Sequence, residues 1–272
     1  MRNKSLELSL YVAGAGAFGV FLRWLENQLA FTEEGLAKPS AFHWMLGAFL
    51  IICLIVFWRF LRQIEEKNYF VPEDFVGALG SEVGLHRILR VAAGAVMILG
   101  ALLLFAKSET DAFVGLLRLL AALALLSGAA YPVVLMEAER GRVRPALLCP
   151  LMLLPMLCHA SWLIYSYRCN AINSVPLAYG LDMLVAILNM VACFRLAGFA
   201  FGAAQPWRAL LSCMLSGTVS IMSLADERYL GMEQMLLANA GMMLLYIWIL
   251  LQNLQRRERQ VIVRKDDGFE HL

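Results

Sequence analysis

Five ionisable side chains stand within long apolar stretches of this sequence: Arg23, Glu26, Arg118, His159 and Asp182. A charged residue at the centre of a membrane costs about 2.5–3.5 kcal/mol on insertion scales, so such residues usually face one another, a ligand or a water-filled cavity. Guanidinium groups offer forked donors to a carboxylate or a phosphate. Carboxylates hold arginines in place or bind a cation or a proton, and an imidazole titrates near neutral pH. These residue types therefore predict a substrate-binding pocket.

The depth of these five residues supports a common site. Each lies about four to seven residues inside the same end of its apolar stretch, which at the rise of a helix is roughly 6–10 Å from the outer interface. Three interpretations remain open. The residues bind a solute or ion; or Arg23–Glu26 and Arg118–Asp182 are structural ion pairs that fix helix register; or His159 is a catalytic base beside phosphate-gripping arginines. His159 is equally open to a structural, hydrogen-bonded role.

The composition identifies the elements that must hold these residues. The chain has 272 residues, of which 61% are hydrophobic and 16% charged, and its mean hydropathy is +0.68. These values exclude a soluble enzyme domain, a disordered chain and a disulfide-stapled secreted module. A net charge of +2 is too small to indicate a nucleic-acid partner. Eight stretches are long and apolar enough for membrane-spanning helices: about 9–30, 41–60, 88–106, 112–134, 146–166, 177–199, 207–225 and 232–253.

The distribution of Lys and Arg predicts the orientation. With the N-terminus in the cytoplasm, 17 of the 23 basic residues fall inside, and only Lys38, Lys107, Arg168 and Arg228 fall outside. We therefore predict an all-α, polytopic transmembrane helical bundle with eight spans, N-in and C-in, in the cell inner (cytoplasmic) membrane. If the first span were a cleaved signal peptide, seven spans would remain.

The bundle is predicted to be a single domain over residues 1–255. A short amphipathic helix at about 72–86 lies on the cytoplasmic surface, and residues 256–272 form a short basic tail that rests against anionic headgroups. No nucleotide-binding, metal-binding or hydrolase motif stands in the sequence, so we expect neither a cofactor nor a metal ion. The lipid bilayer is the expected partner, together with a small polar solute or another membrane subunit.

Small and polar residues recur at helical spacing on several spans. Gly16, Gly19, Arg23 and Glu26 form a single stripe on the first span, where the glycines allow a neighbouring helix to approach closely. The seventh span carries a row of hydroxyls that should face protein rather than lipid: Ser212, Ser216, Ser220 and Ser223. Both stripes predict which faces of these helices are buried.

Several short stretches together carry a resemblance to a known family: Tyr165-Ser166-Tyr167-Arg168, Asn173, Ala197-Gly198-Phe199-Ala200-Phe201-Gly202, Gly16-Ala17-Phe18-Gly19 and Leu22-Arg23. With them, most of the chain resembles uncharacterised multi-pass membrane proteins of anaerobic Gram-positive bacteria, a group with no assigned activity. The resemblance implies a bacterial cytoplasmic membrane and the same number of spans. It transfers no function, but it adds Arg168 and Asn173, at the outer mouth of spans five and six, to the residues worth testing.

The sequence as a whole predicts a charge-compensated polar pocket in the outer half of the membrane, for binding or transporting a small polar or anionic solute. The alternative is a non-catalytic membrane partner, sensor or immunity-type subunit of an envelope complex. An intramembrane enzyme acting on a lipid-linked substrate is a third reading, less favoured because no catalytic pair stands on adjacent turns. The lack of an internal repeat between residues 1–135 and 136–272 weighs against many secondary transporter folds.

Overall fold

The structure, a computed structural model, describes residues 2–31, 41–171 and 176–256. Within these residues, eight helices are long and apolar enough to cross a membrane. A spanning segment adopts a helix because the backbone in lipid must satisfy its own hydrogen bonds. They are α1 (Arg2–Leu29), α2 (Ala41–Glu66), α4 (Gly84–Ser108), α5 (Val114–Glu139), α6 (Pro145–Asn170), α7 (Pro176–Ala200), α8 (Pro206–Met222) and α9 (Leu230–Gln252). The protein is thus a multi-pass membrane protein, as the hydropathy predicts.

The ends of the helices follow local sequence signals. Pro145, Pro176 and Pro206 each stand at the first position of a helix, where the missing N–H costs nothing. A 3₁₀ turn over Ser223–Ala225 extends α8. The only other helix in the described ranges is α3 (Phe75–Leu79), which Asp74 caps by accepting a hydrogen bond from the Gly77 N–H at 2.6 Å.

The connector helix α3 is shorter than the amphipathic helix predicted at about 72–86. It ends at Leu79, and the chain resumes a helical conformation only at Gly84, where α4 begins. Phe75, Ala78 and Leu79 are buried against α5 and α9. A short strand that follows α2, β1 (Tyr69–Phe70), pairs in antiparallel register with β2 (Gln255–Arg256) after α9. The rest of the predicted basic tail, 257–272, lies outside the described residues.

Helix α9 occupies the centre of the bundle. Successive contacts between α4, α5, α6, α7, α8 and α1 form an arc, and α9 packs against α4, α8 and α1. Fifteen of its 23 residues are buried. Helix α2 lies outside the arc against α1 and α8 and exposes a broad apolar surface, as expected for a helix that faces lipid.

Helix α1 packs as its glycine stripe predicts. A Cβ at Gly16 would meet the side chain of Ile221 at 2.7 Å, and a Cβ at Gly19 would meet that of Met222 at 2.9 Å. The predicted burial of the hydroxyl row on α8 is confirmed for three of its members, which are fully buried: Ser216, Ser220 and Ser223. We name the two ends of the bundle the Asp226 face, where α8 joins α9, and the Glu139 face, where α5 joins α6.

Candidate functional site

Arg23 belongs to a chain of ion pairs at the Asp226 face. Its Nη1 donates to Glu26 Oε2 at 2.8 Å, and its Nε donates to Asp226 Oδ1 at 2.6 Å. The other carboxylate oxygen of Glu26 lies 2.7 Å from Nδ1 of His43, at the start of α2. Arg23 and Glu26 are each 3% exposed. The predicted Arg23–Glu26 ion pair is therefore confirmed, and it joins α1 to α2 and to the α8–α9 connection.

Arg228 continues the chain from Asp226 to α7. Its Nε donates to Asp182 Oδ1 at 2.8 Å, and its Nη2 donates to Asp226 Oδ2 at 3.1 Å and to Ser223 Oγ at 2.5 Å. Its Nη1 donates to the backbone carbonyl of Ser223. All three guanidinium nitrogens of Arg228 are thus engaged inside the protein, and the side chain is only 7% exposed.

Asp182 ends the chain on α7. Its Oδ2 accepts hydrogen bonds from the Ser166 hydroxyl and, at 3.4 Å, from the indole N–H of Trp162. We call the whole set the ion-pair network, and it runs through His43, Glu26, Arg23, Asp226, Arg228 and Asp182. It contains three carboxylates and two guanidiniums. Three of the five residues named from the sequence belong to this network: Arg23, Glu26 and Asp182.

Arg118 does not belong to the ion-pair network, and the predicted Arg118–Asp182 ion pair is wrong. Arg118 is exposed on α5, where its Nε donates to Ser108 Oγ at 3.2 Å. The cation beside Asp182 is Arg228 instead. The physical reason is the rotation of α5, which buries Leu117 and Leu120 and turns the intervening face of the helix outward, toward the lipid or the headgroup region.

His159 also lies apart from the ion-pair network, in a buried polar cluster near the centre of the bundle. Its Nε2 lies 3.2 Å from Asn239 Oδ1, and this oxygen also accepts the Tyr131 hydroxyl at 3.4 Å. Because a carbonyl oxygen only accepts, Nε2 must carry the proton. Asn239 Nδ2 donates in turn to Ser220 Oγ at 3.5 Å. The structural role of His159 foreseen from the sequence thus has direct geometric support.

Asn189 joins α7 to this buried cluster. Its Oδ1 accepts the Ser216 hydroxyl at 2.5 Å and the Ser220 hydroxyl at 3.0 Å. Ser220 therefore links Asn189 to Asn239 on the central helix. Each of these four residues is fully buried, so the cluster fixes the register of α7, α8 and α9 through hydrogen bonds that have no solvent competitor.

We expect Asn239→Leu to lower the stability of the protein. The substitution leaves the buried His159 Nε2–H and the Tyr131 hydroxyl without their acceptor, and buried hydrogen bonds between membrane helices contribute about 0.6–2 kcal/mol each. Thermal unfolding in detergent measures the loss. The matched control is Thr218→Val, because the Thr218 hydroxyl bonds only its own helix, at Met214 O. Equal melting temperatures for the two variants would contradict an interhelical role for Asn239.

A cleft opens beside the ion-pair network at the Asp226 face. Its volume is about 480 Å³, within the range of small-molecule sites. Three acidic side chains, Asp182, Asp226 and Glu227, line it together with Arg228. Its remaining walls include three tyrosines: Tyr165, Tyr179 and Tyr229. The cleft is therefore acidic and aromatic, and its one arginine is already paired.

The rim of the cleft is held by Asp111, from the α4–α5 connection. Asp111 Oδ2 accepts the Tyr165 hydroxyl at 2.8 Å and the Tyr229 hydroxyl at 3.2 Å. Partial burial, followed by the charge of Asp111, raises the pKa of Tyr229 above its usual value, so the phenol stays protonated and donates. The ammonium of Lys107 lies 5.1 Å from the centre of the Tyr229 ring. The Tyr229 ring therefore already makes a cation–π contact with Lys107.

The other side chains named from the sequence do not enter the cleft lining. Arg168 is exposed in the last turn of α6, and Asn173 lies outside the described residues. Sequence reasoning missed three members of the ion-pair network: His43, Asp226 and Arg228. A signal was present, because Asp226-Glu227-Arg228 places three charges in the short connection between two apolar helices. A connection this short must lie directly over the helix ends.

Within residues 2–31, 41–171 and 176–256, no group of three or more His, Cys, Asp and Glu side chains is placed to hold a metal ion. Comparison with protein-family models, with curated proteins and with solved structures finds no match to this chain. The resemblance to a family of bacterial membrane proteins therefore stays a prediction, and the candidate site must be interpreted from its own geometry.

Proposed function

We propose that the cleft at the Asp226 face binds a small polar solute that carries a cationic amine, as a binding or transport site open to the outer side of the membrane. The observation that carries this proposal is the lining of the cleft. Asp182, Asp226 and Glu227 line the cleft together with Arg228. Arg228 pairs with Asp182 and Asp226, and Arg23 behind the lining also pairs with Asp226, so Glu227 is the lining carboxylate that makes no ion pair among the described residues. An ammonium group entering the cleft would pair with Glu227.

The hydrogen bonds that Arg228 already makes within the protein argue against an anionic solute. Arg228 donates from all three of its nitrogens to Asp182, Asp226 and Ser223. To bind a carboxylate or phosphate it would have to give up buried charge-assisted hydrogen bonds, which are the strong ones. The anionic option raised by the sequence depended on arginines with open donors, and four of the five N–H groups of Arg228 already donate within the protein.

The tyrosines of the cleft favour the same class of ligand. Aromatic faces attract cations within about 6 Å of the ring centre, with a gain of about 0.5–2 kcal/mol. Lys107 already lies over Tyr229 in this manner, and Tyr165 and Tyr179 provide two further rings on the cleft wall. Carboxylates beside aromatic rings suit an organic ammonium group better than a bare metal cation, which prefers oxygen ligands alone.

Ligand-dependent thermal stabilisation tests this proposal. We expect choline and ethanolamine to raise the melting temperature of the purified protein, and acetate and inorganic phosphate to have no effect. Glu227→Gln should weaken the apparent affinity for the amines about threefold, since an exposed ion pair contributes little. Glu227 is exposed, so its replacement should leave the fold intact. Glu109→Gln is the matched control, because Glu109 is an exposed carboxylate at the same face outside the cleft lining.

Two outcomes would contradict the proposal. Stabilisation by acetate or phosphate without any by the amines would reverse the assigned charge of the ligand. An equal loss of amine affinity in Glu227→Gln and Glu109→Gln would show general surface attraction rather than binding in the cleft. Counterflow of labelled choline in proteoliposomes then separates transport from binding alone.

A further inference from the structure

A second groove lies at the Glu139 face, at the other end of the bundle from the cleft. It runs between α2 and α8 and has a volume of about 330 Å³. Its lining combines two tryptophans, two arginines and two leucines with one carboxylate: Trp58, Trp207, Arg62, Arg208, Leu61, Leu211 and Glu65. Tryptophan and arginine at the ends of membrane-spanning helices are typical of the headgroup level of a bilayer. The groove therefore lies where lipid headgroups meet the protein.

The turn between α7 and α8 holds Arg208 beside another arginine, Arg195. Gly202 adopts a positive φ of 68°, which L residues with side chains rarely adopt, and the chain turns back after α7. Gln205 Oε1 then accepts a hydrogen bond from Arg208 Nη1 at 3.1 Å and another from Arg195 Nη1. Two guanidinium groups thus share one neutral amide oxygen and lie side by side.

The charges around the groove are predominantly positive. Arg59, Arg62, Arg195 and Arg208 lie in or beside it, against the two carboxylates of Glu65 and Glu66. Glu66 approaches Arg62 only at 3.5 Å, and both side chains are more than 60% exposed. The Arg62 guanidinium lies 5.3 Å from the centre of the Trp58 ring. The four arginines outnumber the two carboxylates, which therefore neutralise the positive charge only in part.

The side of the groove that faces the membrane centre is apolar. Leu211 lies one turn closer to the membrane centre than Trp207 and Arg208, and α2 continues from Trp58 toward the Asp226 face with exposed Ile55, Ile52 and Ile51. A ligand that fits both parts must carry an anionic group at one end and a hydrocarbon chain at the other.

We propose that this groove is a specific binding site for an anionic phospholipid. Its phosphate lies between Arg62 and Arg208, its acyl chain follows Leu211 and Ile55, and Gln205 with Arg195 positions Arg208. The site does not depend on the proposed solute cleft, which lies at the opposite face and shares no residue with it.

Native mass spectrometry of the purified full-length chain, titrated with phosphatidylglycerol or phosphatidylcholine, tests the proposal. We expect phosphatidylglycerol to bind about fivefold more tightly or better, because each arginine near the headgroup contributes about 1 kcal/mol toward an anionic lipid. Arg208→Gln and, separately, Arg62→Gln should each lower the affinity for phosphatidylglycerol about fivefold and leave phosphatidylcholine unchanged. Having variants on two different helices keeps the test valid if one of them fails to fold.

The matched control is Arg142→Gln, an exposed arginine of the α5–α6 connection at the same face, which should retain the wild-type preference. Equal affinity of the wild-type protein for the two lipids would overturn the proposal. An equal loss in Arg142→Gln would also overturn it, since it would indicate diffuse attraction. Glycerol 3-phosphate should not compete with the lipid, and competition at equal concentration would identify a phosphate site in place of a lipid site.

Discussion

Arg228→Gln is expected to destabilise the protein strongly. Arg228 is 7% exposed and contacts Asp182 and Asp226, which are 17% and 14% exposed. Its removal leaves Asp182 without its ion-pair partner and Asp226 with Arg23 alone, and breaking a buried pair by removing one partner costs about 3–5 kcal/mol. The melting temperature in detergent, or the midpoint of unfolding in SDS, measures the effect.

Two control variants sharpen this prediction. Arg118→Gln removes an exposed arginine whose Nε contacts only the Ser108 hydroxyl among the described hydrogen bonds, and it should melt within error of the wild type. Arg228→Lys keeps the charge but loses the fork that reaches Asp182, Asp226 and Ser223 together, so it should recover only part of the loss. If Arg228→Gln and Arg118→Gln melted at the same temperature, the ion-pair network would have no structural role.

Gly94→Ala is expected to cause the second large loss of stability. A Cβ at this position would lie 2.5 Å from the backbone carbonyl oxygen of Gly128 and 3.2 Å from Pro132 Cδ. Neither atom belongs to a flexible side chain, so α4 and α5 must separate. Overpacking of this kind costs about 1–3 kcal/mol. Gly231→Ala should behave similarly, because its Cβ would lie 2.7 Å from the carbonyl oxygen of Gly100.

The control for these two changes is Gly241→Ala on α9. A Cβ at Gly241 meets no atom within 4 Å, so the substitution adds a methyl group without a steric conflict and should leave the melting temperature unchanged or slightly raised. A melting temperature for Gly94→Ala equal to that of Gly241→Ala would show that α4 and α5 do not require such close contact.

The membrane-spanning helices are almost fully predictable from the sequence. Predicted spans at about 146–166 and 232–253, for example, correspond to α6 at Pro145–Asn170 and α9 at Leu230–Gln252. The reason is that a long run of apolar residues indicates a segment surrounded by lipid, and in lipid such a segment satisfies its backbone hydrogen bonds by forming a helix. The Gly16 and Gly19 stripe likewise marks the face of α1 that meets α8, because close helix contact requires small residues.

The partners in the candidate site were predictable only within one helix. Arg23 and Glu26 are three residues apart on α1, so their contact is a property of the helix itself. The partner of Asp182 is not, because it depends on how α5 is rotated and on how the α8–α9 connection folds over the bundle. Arg118 was the nearest cation in predicted depth, yet Arg228 is the one that reaches Asp182.

For this protein, local sequence determined how many helices are long and apolar enough to cross the membrane and which part of the chain forms each of them. Tertiary packing alone decided that Arg228 takes the place expected for Arg118, that His159 joins Asn239 rather than the ion pairs, and that the cleft is acidic. The hydrophobicity of a segment is a property of that segment alone, so membrane-spanning helices can be predicted directly from the sequence. A charge pair depends on the rotation and approach of helices far apart in sequence, which no single segment specifies.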